Sequence, residues 1–246
     1  MRSGIRTTIV ACAGLVLLAT GCKAGGGGLV KQYEYEEDIY LKLDGGATIY
    51  VNASIPALVS LRGLALDTKP NARLDRGLVR SLFSTPVTDV VRVSTWRRFG
   101  RRFVQVRMTV NDIRRLSAAP PFSWATYSLA TRDGQIVYQQ QLAASAGGAA
   151  GDVGWKGNEL IAVRLHLPAR IRYHNAGADN LKRGNILVWE QSLAVRQAGT
   201  PLAIEARMDS ESILYSTLLL FAVSGALALG VLAVIIWWVG RKGKRA

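Results

Sequence analysis

The run Ile213-Leu-Tyr-Ser-Thr-Leu-Leu-Leu-Phe-Ala-Val-Ser-Gly-Ala-Leu-Ala-Leu-Gly-Val-Leu-Ala-Val-Ile-Ile-Trp-Trp-Val239 carries no charged side chain. A helix needs roughly 20 apolar residues to cross the hydrocarbon core of a bilayer, and this run exceeds that with room for tilt. Tyr215 stands near one end and Trp237 and Trp238 near the other, where amphipathic rings sit among headgroups. Arg241, Lys242, Lys244 and Arg245 follow. A basic flank marks the cytoplasmic side of a span. The expectation is a transmembrane helix over 213–239, a basic cytoplasmic tail over 240–246, and an extracytoplasmic location for what precedes them. A long helix buried in a soluble core is the competing reading. Uniform apolarity and the basic flank argue against it.

The other end of the chain reads as a processing signal. Arg2 and Arg6 form a positive n-region, and 9–19 forms a short apolar segment. Leu18-Ala19-Thr20-Gly21-Cys22 resembles a bacterial lipobox, in which the cysteine thiol takes a lipid and the signal is cut just before it. Ala19 stands where a leucine is commoner. The expectation is a lipoprotein signal peptide over 1–21, lipidation at Cys22, and a glycine-rich tether over 22–30. The protein would then be a single-pass cell-membrane protein with a lipid-anchored N-terminus.

The stretch 31–212 suits one domain. The formal charge of the whole chain is +14. Six of the 31 cations belong to the two termini, and the remaining 25 exceed the 17 acidic residues by eight. An outer domain with that excess meets anionic lipid headgroups or acidic glycans rather than nucleic acid. Cys12 and Cys22 are the only cysteines, so packing must stabilise the domain without a disulfide.

Within the domain, 33–43 and 47–53 read as strands around the turn Asp44-Gly45-Gly46. Ser54 caps a helix with Pro56 near its start and Leu58, Val59, Leu61 and Leu64 as its apolar face. A second helix is expected over 71–83. Alternation over 89–110, with Val91, Val93 and Thr95 on one face, predicts a hairpin turning at Gly100. Asn111-Asp112-Ile113-Arg114-Arg115-Leu116 reads as a capped helical turn. A further hairpin turns at Asp133-Gly134, 143–154 reads as a glycine-rich loop with 147–151 as linker rather than phosphate loop, and strands follow over 160–167, 185–193 and 202–208. The sum is an α+β domain, an antiparallel sheet with two short helices, plus one C-terminal transmembrane helix.

The densest chemistry is Trp96-Arg97-Arg98-Phe99-Gly100-Arg101-Arg102-Phe103. Guanidinium groups bind phosphate in bidentate fashion and stay charged at cellular pH. Trp96, Arg97, Arg98, Phe99, Arg101 and Arg102 are therefore candidate contacts to a membrane or an anionic partner. The alternative is a solvated hairpin end whose rings pack on the domain. Glu34, Glu36, Glu37 and Asp38 read as a wet face or edge protection. His166 shares a strand face with Arg164, and His174 sits in a turn-like segment. Two histidines without a cysteine pair build no recognisable zinc site, and neither HExxH, nucleophile elbow nor P-loop occurs. No metal, cofactor or catalytic residue is assigned.

Two patches carry a family resemblance. One is the strand leading into Asn111-Asp112-Ile113-Arg114-Arg115-Leu116. The other is Arg172-Tyr173-His174-Asn175 followed by Arg183-Gly184-Asn185-Ile186-Leu187-Val188-Trp189-Glu190. With the lipobox, outer α+β domain and C-terminal helix, the chain resembles the LppM-like domain family of bacterial membrane lipoproteins. That resemblance implies a fold akin to small lipid- or glycolipid-binding domains with no known catalytic activity, and it transfers no ligand-contact residue. The expected function is non-catalytic binding of lipid, glycolipid or another envelope component. The main alternative is a structural or assembly subunit that contacts another envelope protein. For that role Ser216, Ser224, Gly225, Ala226, Ala228 and Gly230 would permit close helix approach. An envelope enzyme ranks last.

Overall fold

The computed structural model describes residues 31–145, 147–177, 181–182 and 185–243. The chain divides into two units, Met1–Lys31 and Gln32–Ala246. The expected signal peptide, Cys22 and the tether over 22–30 lie outside the described residues, as do Lys244 and Arg245 and the side chain of Lys242.

The domain is α+β, built on two sheets and several short helices. Strands β1 (Tyr33–Leu41) and β2 (Ala47–Ser54) form the first hairpin. Helix α1 (Ile55–Arg62) follows at once. Ser54 Oγ accepts the Ala57 N–H at 3.2 Å, and Gly63 ends the helix at φ 64° with its N–H on the Val59 carbonyl. Helix α2 (Arg76–Phe83) is shorter than the expected 71–83, because the Asp75 carboxylate accepts the Gly77 N–H and fixes the start there. Then come β3 (Thr88–Arg98), β4 (Arg101–Val110), two 3-10 turns (Ile113–Ala118 and Pro120–Phe122), β5 (Ala125–Arg132), β6 (Gln135–Leu142), β7 (Leu160–His166) and β8 (Ala169–His174). The pair β9 (Leu181–Lys182), β10 (Ile186–Ser192), helix α3 (Leu193–Gln197) and β11 (Leu202–Ser212) complete the domain. Helix α4 (Ile213–Gly243) follows β11 directly.

The expected single sheet is two. Seven strands run in the order β3-β4-β2-β1-β7-β10-β9, and four in the order β5-β6-β11-β8. All pairs are antiparallel except β1 with β7, which is parallel and carries Glu37 opposite Val163 and Tyr40 opposite His166. Hairpins are coded by local turns, whereas a parallel pair joins distant segments and leaves no turn signal. A second correction concerns Val91. The β3–β4 register slips between Val90 and Arg92, a bulge that sends Val90 inward and leaves Val91 48% exposed. Val91 therefore does not share the face of Val93.

One face of the seven-stranded sheet meets the second sheet and the helices. Ile39, Ile49, Val51, Val106, Met108, Val163 and Leu165 pack there with Leu58, Leu61, Phe83, Phe122, Tyr138 and Met208, all buried. The glycine-rich stretch is not a free linker at Gly147. A Cβ there would run into the carbonyl oxygens of Val59 and Ser60, so the backbone passes directly against α1.

The register also sorts the ends of the large sheet. Leu41, Ala47, Val110 and His166 lie at one end, and Tyr33, Ser54, Phe103 and Leu160 at the other. Helix α4 starts at the first end, where the Ile213 N–H donates to the Pro168 carbonyl at 3.2 Å and Ser212 pairs with Ala169. Its segment Ile213–Trp238 is long and apolar enough to cross a membrane. The β3–β4 turn lies at the opposite end, roughly 30 Å away along β4 at ~3.3 Å per residue.

Candidate functional site

The arginine-aromatic segment divides in two. At the β3–β4 turn Phe99 takes φ 51° and Gly100 takes φ 73°, the left-handed pair of a tight hairpin turn. The β5–β6 turn uses the same conformation with Asp133 and Gly134, at φ 49° and 75°. Asp tolerates a left-handed backbone and Phe does not, so Phe99 is held at a steric cost. Its ring is 46% exposed, with the Arg98 guanidinium 4.6 Å from its centroid. Trp96 is 39% exposed and stacks on buried Phe103 at 5.7 Å. Arg97 and Arg98 are exposed.

Unlike Arg97 and Arg98, Arg101 and Arg102 are largely buried, each 6% exposed, although both also line the cleft beside the turn. Arg101 makes an ion pair of 2.7 Å with Glu34, whose side chain is fully enclosed, and donates to the carbonyls of Val153 and Gly154. Arg102 donates to the carbonyls of Asp67 and Ala72. Both are consumed in tying loops to the sheet. Between these loops and the turn lies a cleft of about 390 Å³, lined among others by Pro56, Pro70, Phe99, Gly100 and Val153.

The acidic run of β1 is a wet face only in part: Glu36 and Asp38 keep some exposure beside Arg164, whereas Glu34 and Glu37 are buried. Strand alternation places Glu37 on the same side as Ile39, and that side is the core. Arg62, the last residue of α1, reaches Glu37 Oε2 at 2.7 Å with both side chains fully enclosed. Tyr35 Oη donates to the same oxygen at 2.7 Å, and Gln140 Nε2 and Tyr127 Oη donate to the other at 3.3 and 3.4 Å. The guanidinium sits among the rings of Tyr35, Phe122 and Trp124, 4.6, 4.8 and 4.4 Å from their centroids. Burial pushes Glu37 up to about 7 and Arg62 down to about 9. Burial also raises Tyr127 and Tyr138 well above the ordinary phenol range, with the Glu37 charge adding to it. This cluster joins both sheets and α1 in the interior. Arg196 is a second enclosed guanidinium, donating to the carbonyls of Thr200 and Leu142.

His166 lies on the outer face as expected, stacked on Tyr40 at 3.8 Å, beside Arg164, which pairs with Glu36 at 2.6 Å. His174 belongs to β8 rather than to a turn, its Nδ1 2.9 Å from the Ala176 carbonyl. Among the described residues no group of three or more His, Cys, Asp or Glu side chains converges to hold a metal ion. Tyr215, Trp237 and Trp238 stand exposed on α4, and Arg241 lies 4.9 Å from the Trp237 ring.

The site at the turn was legible in composition, but its division was not. No local signal joins Arg101 to Glu34: they stand on β4 and β1, with β2 between them. No family model matches the chain, and no curated protein matches it. Among solved structures it is similar to the folded domain of the Mycobacterium tuberculosis LppM protein, determined by NMR, at 12% identity and a TM-score of 0.40, over 74% of this chain and 94% of that one.

Proposed function

We propose that this is a membrane-anchored bacterial envelope lipoprotein whose outer domain binds an anionic lipid, glycolipid or other envelope component without catalysing a reaction. The observation that carries the reading is the turn itself. Trp96, Arg97, Arg98 and Phe99 are exposed beside a cleft, at the end of the sheet remote from the helix. Guanidinium forks hold phosphate or carboxylate, and the two rings supply apolar surface for a sugar face or an alkyl segment. A strained Phe99 fits a residue kept for contact rather than for stability. The bilayer crossed by α4 is at the other end, so the ligand is one that projects into the envelope or is lifted from a membrane.

The test is binding of the full-length chain, held in neutral nanodiscs, to acidic glycolipid and acidic glycan fractions of a bacterial envelope at low and high salt. The expected result is saturable binding that weakens with salt and falls about tenfold or more in Arg97→Ala/Arg98→Ala. Binding by the double variant equal to that of the parent, or no binding to any anionic fraction, sinks the reading. In the latter case, recovery of a crosslinked envelope protein on α4 would favour the assembly role.

A further inference from the structure

We propose that a groove at the start of α4 holds one phospholipid of the spanned bilayer, selected for a headgroup with a phosphate and a primary amine. This goes beyond the ligand at the β3–β4 turn, because the groove lies at the other end of the domain. Its volume is about 500 Å³, and its walls include Gly134, Arg170, Arg172, Glu211, Thr217 and Leu220.

The local register opens the groove. On β8, Ile171 pairs with Met208 and Ala169 with Ser212. Asp209, Ser210 and Glu211 therefore stand opposite the single residue Arg170, a wide irregularity in the ladder. The β11–β6 pairing ends at Asp209, so neither neighbouring strand pairs with Ser210 or Glu211. The charges sort into used and unused. Arg172 is bound to Asp209 through two bonds of 2.5 and 2.9 Å. Arg170 and Glu211 are exposed, and neither has an ion-pair or hydrogen-bond partner among the described residues.

That leaves one cation and one carboxylate facing a common space. A guanidinium takes a phosphate, and a carboxylate takes an ammonium that donates hydrogen bonds. An anionic headgroup would satisfy Arg170 and be repelled by Glu211. A quaternary ammonium would meet the carboxylate without donating a hydrogen bond. The depth matches a lipid as well. Thr217 and Leu220 lie about 6 and 10 Å beyond Ile213 along the helix at ~1.5 Å per residue. They form an apolar lower wall where the glycerol and first acyl carbons sit, and the strand ends form the polar upper wall. Ile213 follows β11 without a linker, so this end of the domain meets the headgroup layer directly.

The experiment is native mass spectrometry of the full-length chain released from nanodiscs of equal parts phosphatidylethanolamine, phosphatidylglycerol and phosphatidylcholine. The expected result is retention of one phosphatidylethanolamine, reduced about tenfold in Arg170→Ala and in Glu211→Gln. Thr217→Trp, which fills the groove from the helix side without touching either charge, lowers retention too. Thermal midpoints of all three variants establish that they are folded. Arg97→Ala/Arg98→Ala retains lipid as the parent does, which separates this site from the turn. Equal retention of the three lipids, or unchanged retention in folded Arg170→Ala and Thr217→Trp, overturns the proposal.

Discussion

Glu37 and Arg62 meet at 2.7 Å inside the domain, one from the central strand of the large sheet and one from the last turn of α1. Strand and helix ends are joined there by charge rather than by packing alone. Removing one partner strands the other in an apolar interior, which costs about 3–5 kcal/mol. Arg62→Met should lower the unfolding free energy by that order, and Glu37→Gln should cost less, because the amide replaces a carboxylate whose ionised form burial disfavours. The double variant should recover part of the loss. Urea denaturation of the four proteins measures the coupling, and simple additivity would show that the pair is not an energetic unit.

The same pair gives stability a pH dependence. Burial raises the folded-state pKa of Glu37 from 4.5 to about 7. The folded state therefore binds this proton more tightly than the unfolded state. The contribution is complete below about pH 4.5 and is lost as the pH rises through about 7. The urea midpoint should fall from pH 5 to pH 8 by more in the parent than in Glu37→Gln. Identical slopes in the two proteins would assign the dependence to other groups.

Phe99 occupies a backbone conformation that suits Asn, Asp or Gly. Phe99→Asn should stabilise the domain by about 1 kcal/mol, visible as a raised thermal midpoint. The same change should weaken binding of the anionic ligand proposed for the turn. A gain in stability with binding intact would reduce Phe99 to an accident of sequence.

Gly147 has no room for a methyl group against the carbonyls of α1. Gly147→Ala should cost about 1–3 kcal/mol through displacement of the loop or the helix end. The neighbouring Gly148, with open space around it, should accept alanine with a change within about 0.5 kcal/mol. Thermal unfolding of the two variants provides the comparison.

What could be read from the sequence was local. The turns at Asp44-Gly45, Gly100 and Asp133-Gly134 and the cap at Ser54 act within a few residues, and the hairpins and α1 formed where those signals stood. The long apolar run became one uninterrupted helix for the same reason. Partners across the fold were hidden. Nothing near Glu34 announces Arg101, and nothing near β1 announces β7, because pairing between distant strands depends on the whole assembly. Parity was the neglected clue. Glu37 is two residues from Ile39 and must share its side of the strand, so a charge on an apolar face asked for a buried counter-ion. Arg97 and Arg98 are exposed whereas their sequence neighbours Arg101 and Arg102 are buried, because the latter turn back to Glu34 and to loop carbonyls that lie far away in the sequence.

The junction of β11 and α4 makes the protein a lever. No residue separates strand from helix, and the Ser212 side chain and the Pro168 carbonyl hold the first helical N–H groups. Membrane helices tilt by ~20° on average, and a rigid arm of ~30 Å turns that angle into a sideways sweep of ~10 Å at its far end. Under the proposed anchoring, in which α4 spans a bilayer, thickness becomes an aiming device: a thinner membrane tilts the rod further and carries Phe99 and its arginines across a different patch of their surroundings.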